Sequence, residues 1–286
     1  MTDARTAWVE VGDRVFQRRY DPYDVTVTVV AGTDGLMVVD TRCSLAEARE
    51  LREQLRQISS APVRWVVNTH DHFDHVWGNA EFAAPRQVPP ARFFGSAQMV
   101  AAMRGADDDP DMMRLRKALA AESEEWRAKL AELEEHVPEN VVRDGHDLDL
   151  GDGRVVRMRR LGRGHTDGDL VLHVPDADVL LMGDLLEESG DPAFGPDSFP
   201  LDWAATLDAA LALAGPGTRF VPGHGATTDT SFVAAQRDAL AAVADTCRSL
   251  HAAGVPLDEA LKTGDWPYDR EHLRHAIKRA YLHLSA

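Results

Sequence analysis

The sequence is poor in cysteine, with two residues among 286, Cys43 and Cys247, far apart along the chain. Two distant cysteines exclude a disulfide framework, and neither has the paired spacing of a thiolate metal site. The first residues lack a basic segment followed by an apolar core, so we expect no signal peptide. No apolar run approaches the roughly 18 residues that span a bilayer. These absences predict a cytoplasmic protein that does not act at a membrane.

Positive charge is also scarce, with 31 lysines and arginines against 47 aspartates and glutamates. The net charge of −16 and the pI near 5.1 describe a surface that repels nucleic acid and anionic membranes. We therefore expect a small-molecule substrate, no nucleic-acid partner, and a monomer or homodimer. The length of 286 residues and an apolar fraction of 44% allow one domain with a sizeable core.

The sequence does contain a dense run of metal-ligand side chains at positions 69–75, Thr-His-Asp-His-Phe-Asp-His, directly after the apolar run 63–67. Residues two apart in an extended segment point to the same side, so His70 and His72 can close on one ion. Asp74 and His75, past the turn, then face a neighbouring position. Imidazoles and carboxylates this close together would be costly to desolvate unless a cation lay among them. The spacing therefore predicts a metal site.

Three later turns each offer one further ligand beside a glycine: His165, Asp184 and His224. Glycine next to a ligand allows a sharp turn and a close approach of the backbone to an ion. A single loop histidine is usually not a ligand, but these three bring the total to seven. Seven ligands are enough for two ions that share one carboxylate.

In this order the motifs resemble those of the metallo-β-lactamase-fold superfamily. The resemblance implies an α/β (α+β) protein, a four-layer αββα sandwich with the site at one edge of the sheets. Two zinc ions are the expected cofactors. The resemblance assigns the first ion to His70, His72 and His165, the second to Asp74, His75 and His224, and the bridging position to Asp184.

The rest of the chain fits one domain over residues 1–286, with strands first and helices outside in each half. Residues 89–138 differ, since helices are predicted at 96–103 and 111–135 as an insertion or lid beside the metal ligands. Residues 255–286 are expected to form a helical carboxyl-terminal segment. Apolar residues of the insertion, such as Phe93, Met99 and Trp126, either pack it onto the body or wall an apolar substrate pocket.

The ligand set indicates a hydrolase in which a metal-bound hydroxide attacks the carbonyl of a thioester, ester, lactone or lactam. Zinc lowers the pKa of bound water from about 15.7 to about 7, which makes hydroxide available at neutral pH. Asp184 and Asp74 are the catalytic candidates, and Asp74 could orient the hydroxide or pass a proton to the leaving group. Asp40 and Thr166 are either orienting partners of the ligands or ordinary turn and strand-end residues.

The segment 185–203, which follows the bridging aspartate, is the candidate substrate loop. Phe194, Phe199 and Trp203 within it are candidate substrate contacts, and with the insertion they could form an apolar pocket mouth. Core packing is the alternative interpretation of each aromatic side chain.

Within the superfamily the ligand pattern resembles glyoxalase II, a thioesterase that acts on glutathione thioesters. Glyoxalase II-like sequences usually carry a tyrosine two residues after the last ligand histidine, and this chain has Ala226 there. The basic residues Arg270, Arg274 and Lys278, at helical spacing, either meet an acidic thiol carrier or form a solvated helix face.

Two alternatives share the same motifs. Persulfide dioxygenases also resemble this sequence, and in them one iron is held by the counterparts of His70, His165 and Asp184. Iron is therefore the alternative metal, with oxidoreductase chemistry. A β-lactamase is the other alternative, although the expected lack of an export signal counts against it.

Overall fold

The structure is a computed structural model that describes residues 7–285. Residues 1–6, on which the expectation about a signal peptide mainly rests, and residue 286 lie outside it. In the described range the strands are β1 Val9–Gly12, β2 Val15–Tyr20, β3 Val25–Ala31, β4 Leu36–Val39, β5 Val63–Val67, β6 Arg92–Ser96, β7 Asn140–Val142, β8 Gly145–Asp149, β9 Val155–Arg159, β10 Val171–Val174, β11 Val179–Glu187 and β12 Arg219–His224. The helices are α1 Leu45–Gln54, α2 Phe73–Val76, α3 Ala97–Gly105, α4 Pro110–Glu122, α5 Glu124–Ala131, α6 Trp203–Leu211, α7 Thr230–Ala252, α8 Leu257–Thr263 and α9 Arg274–Leu284.

The strands form two layers that meet at one seam. The first layer runs β1-β2-β3-β4-β5-β6-β7 and the second runs β12-β11-β10-β9-β8. Strand β12 pairs with β3 only between His224 and Val25, so the seam lies at the carboxyl end of β12. Strands β4 and β5 are parallel, as are β11 and β12, which brings their carboxyl ends to the same side of the molecule.

The first sheet is apolar on both faces because successive residues of a strand point in opposite directions. Leu36 and Val38 of β4 join the core beneath α1, whereas Met37 and Val39 join the core between the sheets. All four residues are buried.

The second sheet follows the same rule. Leu180 and Met182 of β11 join the outer core with Leu207 of α6 and Val243 of α7, whereas Leu181 joins the core between the sheets. Three cores separated by two sheets make four layers, so the αββα architecture is confirmed.

The insertion contains three helices rather than the two that the sequence predicts. The predicted helix over 111–135 is interrupted at Ser123, whose hydroxyl caps α5 by accepting a hydrogen bond from the backbone N of Trp126 at 3.1 Å. Met99, Met103 and Trp126 are buried in one cluster with Trp77, beside the metal-ligand run. The insertion is therefore packed onto the body of the protein.

No helix in residues 7–285 is both long enough and apolar enough to cross a bilayer.

Trp126 supports two other aromatic side chains, Tyr23 and Phe73. Its ring centroid lies 6.4 Å from that of Tyr23 and 5.8 Å from that of Phe73. We expect Trp126→Ala to lower the free energy of unfolding by about 3–5 kcal/mol, because it leaves a cavity beneath both rings. The measurement is a denaturation midpoint, with Met113→Ala on the exposed side of α4 as the control. Equal midpoints for the two variants would contradict the packing role of the insertion.

Candidate metal centre

The seven predicted ligands converge at the seam between the sheets. The turn after β5 carries His70 and His72, and α2 adds Asp74 and His75. The connection from β9 to β10 carries His165, and Asp184 lies within β11. His224 is the last residue of β12, at its single contact with β3.

Two glycines make the convergence possible. A Cβ on Gly223 would lie 1.8 Å from Asp184 Oδ1, so only glycine leaves room for that carboxylate. Gly183 has a φ of +53°, and a Cβ there would lie 2.7 Å from the Cβ of Thr69. Strand β11 can therefore approach both the preceding turn and β12 closely enough to place Asp184 among the histidines.

The donor atoms of the seven predicted ligands form two neighbouring groups. In the first, donors from His70, His72, His165 and Asp184 all lie within 4.8 Å of one another, and in the second the same holds for Asp74, His75 and His224. The shortest contact within the first group is 2.8 Å, between His165 Nε2 and His72 Nδ1.

Asp184 contacts both groups. Its Oδ2 lies 3.6 Å from His70 Nε2 and 3.4 Å from His165 Nε2. Its Oδ1 lies 3.2 Å from His75 Nε2, and its Oδ2 lies 3.3 Å from His224 Nε2. A carboxylate in this position can serve two cations at once.

Four of the five imidazole rings bond outward to an oxygen that can only accept a hydrogen bond. The outward ring nitrogens therefore donate these bonds, and the inward nitrogen of each ring becomes a lone pair able to bind a cation whenever that ring is neutral. The four outward bonds are His72 Nε2 to Asp197 Oδ2 at 3.0 Å, His75 Nδ1 to Asp40 Oδ2 at 2.9 Å, His165 Nδ1 to the Ala193 carbonyl at 2.9 Å and His224 Nδ1 to the Tyr23 carbonyl at 2.8 Å.

The outward nitrogen of His70 also donates a hydrogen bond, but it reaches a carboxylate through the hydroxyl of Thr69. The Thr69 hydroxyl donates to Asp40 Oδ2 at 2.8 Å, so at 3.0 Å it accepts from His70 Nδ1. Nε2 of His70 is then also an inward lone pair. Asp40 thus orients two rings, His75 directly and His70 through Thr69.

Two further observations indicate that this group of side chains is suited to binding a cation. His70 Nε2 and Asp184 Oδ1 are buried without a hydrogen-bond partner, which is costly unless an ion is bound there. Burial holds the pKa of His70 well below its usual range and lowers that of His165 to about 4, so both rings are neutral ligands. Burial also opposes a charge on His72, His75 and His224, but the neighbouring carboxylates outweigh it. They raise the pKa of His72 to about 9 and hold the pKa values of His75 and His224 well above their usual range, so a bound cation would replace protons on these three rings. Burial would raise the pKa of Asp184, but the surrounding histidines, His75 first, hold it well below its usual range. An ionised carboxylate ringed by imidazole lone pairs is a donor set suited to zinc.

A cavity of about 580 Å³ opens over these donors. Tyr23 and Phe73 form one wall, and the segment 189–195, with Phe194, forms the opposite wall. Glu271, His272 and His275 line it from the carboxyl-terminal segment. No residue of the insertion lies among the lining residues of the described chain, so the insertion supports the wall from behind.

The three candidate substrate contacts occupy different places. Phe194 lies in the cavity wall. Trp203 is fully buried behind it, with ring centroids 5.2 Å apart, and donates from Nε1 to the Leu185 carbonyl at 3.0 Å. Phe199 lies outside the cavity and stacks on His283, 5.1 Å between centroids. Trp203 and Phe199 are therefore packing residues in this structure, because the chain turns outward to the helix layer after residue 197.

Several residues near the site are missed by the sequence reasoning. Asp197 binds His72 across 125 positions of sequence, and nothing local marks it. Glu187 is buried beside Asp184 and His224, with donor atoms within 4.8 Å, and burial raises its pKa to about 7. Thr166, by contrast, is a candidate orienting partner in the sequence; within residues 7–285 its hydroxyl makes no hydrogen bond to a ligand ring and donates to Asp169 at 2.7 Å, which shapes the turn after His165.

Comparisons with known proteins agree with the family that the motifs resemble. A family model described as the metallo-beta-lactamase superfamily matches residues 20–224, a span that contains all seven donors. Among curated proteins, the acyl-coenzyme A thioesterase MBLAC2 of Bos taurus is 26% identical over 230 residues, covering 75% of this chain and 79% of the relative. The linear primary-alkylsulfatase of a Pseudomonas species is 24% identical and covers 88% of this chain and 54% of the relative.

Solved structures show the same fold. The sec-alkylsulfatase Pisa1 from Pseudomonas sp. superposes with a TM-score of 0.75 at 17% identity, over 97% of this chain and 50% of that chain. The DIM-1 metallo-β-lactamase gives a TM-score of 0.60 at 16% identity, over 82% of this chain and 96% of that chain. The chain therefore spans about half the length of the alkylsulfatases that it matches.

Asp197 gives the most direct test of the outward bonds. We expect Asp197→Ala to weaken metal binding by about 10–100-fold, because His72 loses the partner that fixes its ring orientation. The affinity would be measured by competition with a chromophoric chelator. Asp202→Ala is the matched control, since among residues 7–285 the only ion-pair partner of Asp202 is Arg163. Unchanged affinity in Asp197→Ala would show that His72 needs no such partner.

Proposed function

The chain belongs to the metallo-β-lactamase superfamily of hydrolases, and we propose that it is a dinuclear zinc hydrolase that cleaves thioesters. The observation that carries the proposal is the convergence of five inward imidazole nitrogens on the two oxygens of Asp184. His70, His72 and His165 would hold one ion, Asp74, His75 and His224 the other, and Asp184 would lie between them. Zinc at these positions would supply Lewis acidity and lower the pKa of a bound water to about 7.

The side chains around the donors have distinct roles in this proposal. Asp74 lines the cavity, and its Oδ2 lies 3.3 Å from His224 Nε2, so it can orient the attacking water and pass its proton to the leaving thiolate. Tyr23, Phe73 and Phe194 offer apolar surface for the acyl group and exclude bulk water from the reacting carbonyl.

The choice of a thioester rests on two kinds of support. The MBLAC2 relative, an acyl-coenzyme A thioesterase, covers three quarters of this chain and most of its own length. The pattern of ligands supports the same reaction, because His70, His72, Asp74, His75 and the later three donors together resemble the motif of glyoxalase II. Ala226, in place of the usual tyrosine, argues for a thiol carrier other than glutathione.

A second candidate is hydrolysis of an alkyl sulfate ester. It is supported by the superposition on Pisa1, which covers 97% of this chain and so includes most of the carboxyl-terminal helices. The apolar walls of the cavity would suit an alkyl chain as well as an acyl chain.

The organisation of the chain is part of the same proposal. Residues 1–286 would form one catalytic domain, with 89–138 as an insertion that supports the cavity wall and 255–286 as the segment that forms its mouth. The protein would act on a small molecule in the cytoplasm, as a monomer or homodimer, without nucleic acid or membrane.

Metal content and ligand variants test the proposal together. Protein purified without added metal or chelator should contain about two zinc ions per chain. His72→Ala and Asp184→Ala should lower thioester hydrolysis at least about 100-fold with the fold retained, since loss of an outer partner alone costs 10–100-fold. Metal analysis, circular dichroism and steady-state kinetics would be compared with His173→Ala on β10, a histidine away from the site. Full activity in either ligand variant would contradict the metal-dependent mechanism.

The substrate class is tested by a panel run on the zinc-loaded enzyme. We expect hydrolysis of acyl thioesters to exceed that of alkyl sulfates, lactones and lactams, because the carbonyl of a thioester is activated and its thiolate leaves readily. Sulfate release without thiol release would favour the second candidate. About one iron per chain, together with oxygen uptake, would contradict both hydrolase candidates and favour the persulfide dioxygenase alternative.

A further inference from the structure

A second cavity of about 660 Å³ adjoins the one over the metal ligands. Its lining includes Arg114 from α4 of the insertion, Pro196 from the segment before α6, and Lys278 and Arg279 from α9. His275 lines both cavities, so the two are neighbours along α9. Lys278 and Arg279 lie about one helical turn beyond His275, roughly 4.5–6 Å along the axis. We refer to this second cavity as the carrier groove.

The carrier groove is locally basic in a chain of net charge −16. Arg114, Lys278 and Arg279 line it, and Asp111, which pairs with Arg114, is its one acidic lining residue within the described chain. In residues 7–285 neither Lys278 nor Arg279 has a carboxylate within 4.0 Å. Two cationic side chains there are therefore available to an anionic ligand.

Arg279 is held in place by the protein. Its Nε donates to the Ser198 carbonyl at 2.8 Å, and its guanidinium lies 5.0 Å from the ring centroid of Phe199. A fixed guanidinium loses little rotational freedom when it binds an oxyanion, and its planar donors match phosphate oxygens. Phe199, which the sequence proposed as a substrate contact, thus acts by positioning this arginine.

The groove also presents apolar surface beside its charges. Leu282 is 59% exposed and Leu257 is 43% exposed, and Tyr281 lies between the groove and the outer core. A ligand that suits this lining carries phosphate groups together with an aliphatic or flat aromatic portion.

We propose that the carrier groove binds the phosphorylated part of a nucleotide-bearing thiol carrier, so that the substrate is a thioester of that carrier. The inference rests on the proposed thioesterase function and specifies its substrate class. The acyl group and the thioester lie over the metal ligands, the carrier chain passes His275, and the phosphates reach Lys278 and Arg279. Water adds its hydroxyl to the acyl carbon, the carbon–sulfur bond breaks, and the carrier leaves as the thiol with the remaining proton.

The test compares two thioesters with the same acyl chain, one on coenzyme A and one on N-acetylcysteamine, which lacks phosphate. Lys278→Glu should raise KM for the coenzyme A thioester about tenfold or more, because it places a carboxylate opposite phosphate, and leave kcat nearly unchanged. Both parameters for the N-acetylcysteamine thioester should stay within about twofold, since that substrate does not reach the groove. Raising the salt concentration should shrink the difference between the two substrates.

Lys262→Glu on α8 is the matched control, because it makes the same change of net charge on an exposed lysine outside the groove. Arg279→Gln is the second groove variant and should act in the same direction as Lys278→Glu. Equal effects on the two thioesters, or no effect of either groove variant, would overturn the proposal that the groove binds the phosphates of the carrier.

Failure of the groove is distinguishable from failure of the proposed function. If the enzyme hydrolyses both thioesters and the groove variants change neither reaction, only the proposal of carrier binding in the groove is contradicted. If the zinc-loaded enzyme hydrolyses neither thioester, the proposed function fails. Calorimetry with free coenzyme A then tests binding in the groove independently of catalysis. Binding that is weakened by Lys278→Glu supports the proposal, and absence of binding to the wild-type protein overturns it.

Discussion

The packing of five imidazole rings around one buried carboxylate is the constraint on which the rest of the structure depends. Each ring has an outward hydrogen bond that fixes its orientation, and the inward nitrogens meet at Asp184. Without a cation the arrangement crowds imidazoles and carboxylates in a largely buried space, which is unfavourable. The fold must therefore hold these groups together against their own repulsion, and the two sheets and their three cores provide that rigidity.

The seam explains why the site lies where it does. Two sheets that pack face to face normally keep their strand ends apart, but β12 reaches β3 at the pair of His224 with Val25. Turns from both sheets are thus brought to one place, and the glycines at 183 and 223 remove the side chains that would hold them apart. The carboxyl-terminal helices then cover the second sheet and reach the cavity mouth through His275.

The sequence was informative where a signal is local. All seven donors follow apolar strands or adjoin glycines, and their order carried the resemblance from which the family and the αββα fold were predicted. Partners joined by tertiary contacts were not predictable, because Asp197 meets His72 only after the chain has returned from a distant segment. The aromatic residues of 185–203 show a second limit. Phe194 and Trp203 have the same chemistry in sequence, and only the path of the backbone places one in the wall and the other behind it.

The cavity wall at 189–195 and the residues just after it are bonded to the metal ligands at two points. Asp197 holds His72 and the Ala193 carbonyl holds His165, two ligands of the same group. Substitutions in this wall therefore change the geometry of the metal ligands along with the shape of the pocket. Glu271 at the mouth instead pairs with Arg274, and within the described chain it makes no bond to a metal ligand. The shape of the pocket can therefore be altered at Glu271 without moving a metal ligand, whereas a change in the wall nearest the reaction alters both.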